Sequence, residues 1–222
     1  MHAHKSQTNF QLSLFEVSEP HNRSIIKAFI QQRYQEVYGA SISPSCRQFL
    51  ALVNASQQVQ AAVGYQGANQ GELFLEQYLD QPIEALLSKN YHADISRDQI
   101  VEVGNLASLN NGWTRRLIFS LSSYFLNMNY RWLVMTATPQ VVNSFFKLGL
   151  GMELNALASA KAEQVQGEDN WGSYYDEEPL VVCGSIARGG RKIQGLKQRT
   201  NTVLPLADQG IELCLEASAW MS

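Results

Sequence analysis

The sequence is short of what several large protein classes require. Its three cysteines, Cys46, Cys183 and Cys214, are far apart, odd in number and never in C-x-x-C spacing. They fit reduced, mostly buried thiols and not a disulfide framework. The four histidines form no H-E-x-x-H set, so no metal site is expected. His2-Ala-His4 reads as part of a frayed end. Lys and Arg total 17 against 20 Asp and Glu, a net charge of −3. No basic excess is available to neutralise phosphates, so a nucleic-acid partner is not expected. No run approaches the 18 or so apolar residues of a membrane span, and the N-terminus lacks the apolar core of a signal peptide. A cytoplasmic location is the expectation.

What is present is a globular composition, 45% apolar and 10% aromatic over 222 residues. Residues 1–9 read as a flexible lead, 10–187 as one domain and 188–222 as a C-terminal extension. Ile25, Ile26, Phe29, Ile30, Tyr34 and Val37 recur at helical spacing, with Gly39 where a C-cap belongs. Strand-like runs at 47–53 and 59–65 flank a polar break and predict a hairpin. Phe74–Leu79 is short and apolar, and Pro82 opens a helix over 83–89. A strand over 99–108 leads through Asn110-Asn111-Gly112 into the clearest helix, striped by Trp113, Leu117, Ile118, Leu121, Tyr124, Phe125 and Met128. A strand over 131–136, a helix over 140–148, and strands over 152–160 and 179–186 follow. Gly189-Gly190 precedes a basic stretch, 188–199, that reads as a solvated tail. The strand–helix–strand–helix order over 99–150 predicts two parallel strands with a right-handed crossover, beside an antiparallel hairpin. The class is therefore α+β, a mixed sheet with helices on both faces.

Two places carry chemistry on physical grounds alone. Arg115 and Arg116 occupy a first helical turn, where cations oppose the helix dipole by about 0.3–1 kcal/mol each unless an anion is present. Either a phosphate binds there, or both side chains turn to solvent. Glu102 is a carboxylate within an apolar strand, so it is either on the solvent face beside Val101 and Val103 or buried with a function. Burial would raise its pKa toward that of a base for an amine. Gly104 two residues on suggests a bulge or a close backbone approach.

Phe145-Phe146-Lys147-Leu148-Gly149-Leu150, with the order of elements, resembles the GNAT superfamily of acyl-CoA transferases. Phe74-Leu75-Glu76-Gln77-Tyr78-Leu79, Glu102-Val103-Gly104-Asn105-Leu106-Ala107 and Trp171-Gly172-Ser173-Tyr174-Tyr175 together resemble the thermostable hemolysin family. That family is itself similar to GNAT proteins and acyl-homoserine lactone synthases. The resemblance implies a GNAT-like sheet of six to seven strands. It also implies an acyltransferase using coenzyme A, an acyl-CoA or an acyl-carrier protein, with a small amine or hydroxyl compound as acceptor. Glu102 would accept a proton and Asn105 would hold an acyl carbonyl or pin the strand.

The resemblance further places the donor on Leu106, Ala107 and Ser108, which would pair with pantetheine, and on Asn111, Gly112, Trp113, Thr114, Arg115 and Arg116 at the pyrophosphate. Asn143 and Phe146 join that set from the next helix. Trp171, Tyr174 and Tyr175, with Glu76 and Tyr78, would line the acceptor side, because carboxylates and aromatic faces suit a cationic amine. Departures are visible: Asn110-Asn111-Gly112 only partly matches the superfamily's phosphate loop, and Phe145 stands where a proton-donating Tyr is common. Gly104 and Asn105 stand where lactone synthases carry a Ser-Arg pair. The family name also implies membrane damage, for which Leu206–Trp220 and the 171–175 aromatics are the candidates for peripheral contact. A fold that binds ligand without catalysis is a third reading.

Overall fold

The computed structural model describes residues 13–197, 206–207 and 213–215. Strands β1 (Ser13–Val17), β2 (Gln48–Val53), β3 (Val59–Gly67), β4 (Ile100–Ser108), β5 (Trp132–Ala137), β6 (Leu154–Ser159), β7 (Leu180–Ser185) and the two-residue β8 (Leu206–Ala207) form one sheet. Its order is β6-β7-β5-β4-β3-β2-β1-β8. Pairing is antiparallel except for β4 with β5 and β1 with β8. Helix α3 (Asn111–Asn127) makes the predicted crossover between β4 and β5.

Alternation along the strands explains the two-sided cover. Val101 and Val103 of β4 point to one face, where Leu117, Ile118, Leu121 and Phe125 of α3 meet Phe145 of α4 (Pro139–Lys147) and Ile186 of α5 (Ile186–Lys197). Phe49, Ala51 and Ala62 point to the other, under Ile26, Phe29 and Ile30 of α1 (Pro20–Tyr38). Beside α1 on that face, Leu75 and, from α2 (Ile83–Tyr91), Ile83 and Leu87 cover Ile100, Val134 and Val181 of the sheet. Each Val, Leu, Ile or Phe among them contributes about 1.5–3 kcal/mol by leaving water. The α1 stripe ends sooner than predicted, since Val37 is 49% exposed.

Three local expectations change. β1 is a strand the sequence reading passed over, and it adds Leu14 to one core and Phe15 and Val17 to the other. Phe74–Tyr78 is a single 3-10 turn. Residues 188–197 of the basic stretch are helix and not tail: β7 runs straight into α5, and Gly189 and Gly190 lie inside that helix, buried, while Arg188, Arg191 and Lys192 are exposed. A Cβ on Gly190 would stand 3.5 Å from Leu126, and one on Gly189 would stand 3.8 Å from Leu150. The pair therefore permits close helix packing where it reads as a breaker. His2 and His4, and most of Leu206–Trp220, lie outside the described residues.

Arg97 fixes the 3-10 turn on which the site depends. Its guanidinium donates to the Ala68 and Gly71 carbonyls and pairs with Glu76 and Glu84 at 2.7 Å. Burial would raise the Glu76 pKa, but Arg97 and the Leu73 and Ile83 amides hold it below the usual range. Arg97→Met should cost about 2 kcal/mol at neutral pH, because it leaves the mostly buried Glu76 without its cation. A depressed carboxylate stabilises above its unfolded pKa, and that contribution fades as pH falls. The difference between wild type and variant in urea melts should therefore shrink toward pH 3.

Candidate active site

The site begins where β4 and β5 part. They pair at Ile100↔Trp132, Val101↔Leu133 and Glu102↔Val134, and the register goes no further. On its other edge β4 keeps β3, with Gly64↔Gly104 and Ala62↔Ala107, so Asn105 and Leu106 both oppose Val63. The bulge expected at Gly104 thus falls one residue later. Asn105 adopts φ +52°, a left-handed geometry that Asn tolerates better than most residues. A wedge opens beyond Glu102, with the β5-facing main chain of residues 103–108 lacking a strand partner among the described residues.

Glu102 stands at the foot of this wedge. It alternates with Val101 and Val103, but the face it occupies is covered by the 3-10 turn, and it is only 7% exposed. Its carboxylate accepts the Phe74 amide at 2.9 Å and the Leu75 amide at 2.8 Å. Burial pushes its pKa up to about 7 despite these donors, with the nearby Glu76 charge adding to the rise. The solvent-facing alternative is therefore excluded by geometry.

Aromatic rings from three segments wall the cleft above Glu102: Tyr34 and Tyr38 from α1, Phe74 and Tyr78 from the turn, and Trp171, Tyr174 and Tyr175 from the loop before β7. Tyr34 stacks on Tyr174 at 6.0 Å, Phe74 meets Trp171 at 5.6 Å, and the Tyr78 and Tyr175 hydroxyls are 2.5 Å apart. The loop predicted to bear the acceptor is drawn inward by main-chain bonds. Ser41 and Asn170 exchange bonds at 2.6 and 3.0 Å, and Ser173 donates to the Tyr38 carbonyl at 2.8 Å. Asp169 accepts the Ser43 amide at 3.0 Å. Burial raises the Tyr34, Tyr78 and Tyr174 phenols and pushes the Cys46 thiol up to about 12, so all four are neutral at pH 7. Cys46 packs over Gly64, where a Cβ would stand 2.5 Å from its sulfur, and its thiol donates to Asn105 Oδ1 at 3.4 Å. The cavity volume is about 80 Å³, and the cleft is open on one side.

A second cavity of about 250 Å³ adjoins the first, sharing Tyr34, Tyr38, Leu106 and Val141. Ala107, Ser108, Asn111 and Thr114 line it, as do Arg33 and Gln140. Arg33 donates to the Ser108 carbonyl at 3.1 Å and pairs with Glu36. Gln140 donates to Asn111 at 3.0 Å, tying the starts of α3 and α4.

The structure thus brings Glu102, Asn105, Tyr78, Trp171, Tyr174 and Tyr175 around one cleft, and Leu106, Ala107, Ser108, Asn111 and Thr114 around its extension. Other predicted members stand apart. The Gly112 and Trp113 amides, expected to be free for phosphate, both donate to the Asn110 side chain, at 2.9 and 3.2 Å. Arg116 lies over the Trp113 ring at 5.0 Å, and neither it nor Arg115 lines either cavity. Asn143 and Phe146 face outward on α4, with Phe146 lying against Gly151. Glu76 is held by Arg97 away from the cleft because both its oxygens complete the turn. The sequence reading missed Cys46, Arg33, Gln140, Thr136 and Thr138, and took Tyr34 for core alone. The four-residue spacing of Tyr34 and Tyr38 was the one available signal.

No helix among the described residues is long and apolar enough to cross a membrane. No curated protein sequence matches the chain. Among solved structures, an N-acyl amino acid synthase from uncultured soil microbes, FeeM, is 15% identical with a TM-score of 0.54, covering 86% of this chain and 99% of its own. The acyl-homoserine lactone synthase LasI is 15% identical with a TM-score of 0.51, covering 80% and 90%. The CoA-dependent acyl-homoserine lactone synthase BjaI, solved with SAM and isopentyl-CoA, is 11% identical with a TM-score of 0.54, covering 88% and 94%. The fold is therefore GNAT-like, as the resemblance implied, with the two-residue β8 an addition to the six to seven strands expected. The thermostable hemolysin profile matches residues 17–190. With its three family motifs gathered around the wedge between β4 and β5, this chain belongs to the thermostable hemolysin family.

Proposed function

We propose that this protein is an acyltransferase that moves an acyl group from an acyl-CoA, or the same thioester on an acyl-carrier protein, directly to a small amine. The observation that carries the reading is the open wedge between β4 and β5 with one buried carboxylate at its foot. The thioester arm would enter by the outer cavity and add to the unpartnered edge of β4 over Leu106–Ser108, bringing its carbonyl toward Glu102. The amine nitrogen attacks the carbonyl carbon, the carbon–sulfur bond breaks, and the amide forms. Glu102 takes the proton the amine loses. The leaving sulfur is protonated by water or by Glu102 in turn, since Phe145 is buried in the core and has no proton to give. Arg33, Ser108 and Thr114 would meet the carrier's phosphates in place of the Gly112 and Trp113 amides. The 171–175 aromatics turn inward, which favours acceptor binding over membrane contact for them.

Coenzyme A at about a hundred times its Kd should add about 2.7 kcal/mol of stability. For a chain of this size that raises Tm by about 5–11 °C. Val141→Trp, at the junction of the two cavities, should abolish the rise. If CoA, acyl-CoA and acyl-carrier protein all leave Tm unmoved at millimolar concentration, the reading fails.

A further inference from the structure

The polar lining of the inner cleft says what its acceptor lacks. Among the described residues its charged side chains are Glu102 and Asp169, both acidic, and no Lys, Arg or His lines it. Arg33 lines only the outer cavity and is paired with Glu36. Lys27, whose charge reaches Cys46, holds its ammonium 5.9 Å from the Phe49 ring centroid and is no part of the lining. An entering carboxylate would meet two like charges and no partner, in a cavity whose walls are aromatic. An ammonium meets the reverse: ring faces and a carboxylate below them. Among the described residues that line this cleft, two have a buried polar atom with no hydrogen-bond partner: Trp171 at Nε1 and Thr136 at Oγ1. The indole can only donate, so it calls for an acceptor oxygen on the ligand. With no cation beside it, that oxygen is best supplied by a neutral group.

We infer that the acceptor is a small primary amine, cationic as it enters, whose body carries a neutral hydroxyl or carbonyl oxygen and no carboxylate. The inference rests on the acyltransferase reading for what becomes of the amine, but not for its binding. Trp171 and Asp169 then act as specificity-determining residues, one taking the neutral oxygen and the other repelling acids.

Two matched pairs test this by calorimetry at pH 8: tyramine with tyrosine, and ethanolamine with serine. In at least one pair the amine should bind tenfold or more tightly than its amino acid. Asp169→Asn keeps the Ser43 contact and removes a charge, so it should narrow that gap several-fold. Trp171→Phe should weaken tyramine more than phenethylamine. If the amino acid equals or beats the amine in both pairs, or if no member binds, the inference is overturned. Amine binding without any thioester binding would overturn the acyltransferase reading alone. Acyl transfer from CoA that prefers the amino acid would overturn this inference and leave that reading standing.

Discussion

Glu102→Gln lowers acyl transfer by about 10²- to 10⁴-fold, the usual worth of a positioned general base, while leaving the fold intact. The two halves of that expectation have the same cause. A carboxyl whose pKa is near 7 is ionised enough at pH 8 to take a proton from an ammonium, so wild-type kcat/KM should climb as pH passes 7 and level off above it. The glutamine variant should show no such step. The stability consequence has the opposite sign. In the unfolded chain the group titrates near its ordinary value of 4.5, and in the folded chain near 7. Its contribution is full below about 4.5 and is lost as pH rises to about 7, a difference of about 3 kcal/mol between those limits. Wild-type Tm should therefore fall between pH 5 and 8 from this group, and Glu102→Gln should flatten the curve. Glutamine returns part of the gain, since its side-chain nitrogen cannot accept and its one oxygen serves only one of the Phe74 and Leu75 amides, at about 1–3 kcal/mol for the amide left over. A variant no less stable at pH 8 yet catalytically dead separates chemistry from misfolding. Unchanged turnover would remove Glu102 from the mechanism.

The sheet was legible because its signals are local. The alternation about Glu102, the stripe from Leu117 to Phe125 and the proline that opens α4 each sit within a few residues, and their elements appear where the sequence places them. The site was legible only in part, because half of it is assembled by contacts distant in sequence. Tyr34 meets Tyr174 across 140 positions, and within α1 only the four-residue spacing of Tyr34 and Tyr38 hints that its apolar stripe continues into a cleft wall. Asn110 shows the converse failure. The motif around Gly112 reads as an open phosphate cradle, yet the best N-cap residue precedes it and takes both amides for itself. Gly189-Gly190 reads as punctuation for the same reason: composition reports conformational freedom and not the neighbour that exploits it.

Gly172 is where the cleft's outer wall is most vulnerable, and Gly172→Ala should destabilise the protein by about 3 kcal/mol. The residue sits at φ +53°, a geometry that costs an alanine about 1 kcal/mol. A Cβ there would lie 2.0 Å from the Tyr38 carbonyl oxygen and 2.9 Å from the Gly39 carbonyl carbon. Those are main-chain atoms at the end of α1, where the Gly39 amide closes the helix on Gln35 and Tyr34, so no rotamer change relieves the overlap. Displacement adds a further 1–3 kcal/mol of the kind found for overpacked interiors. Either the helix end unwinds or the loop lifts. The loop is the weaker partner, held by the Ser41–Asn170 bridge and the Ser173 bond to Tyr38. Lifting it would carry Trp171, Tyr174 and Tyr175 away from Tyr34 and expose the aromatic wall to water. Calorimetry should record a Tm lower by about 6–12 °C. CoA binding in the outer cavity, which none of these three residues lines, should survive while amine binding is lost. A variant that melts with wild type and still binds tyramine would show that the loop does not close the acceptor side.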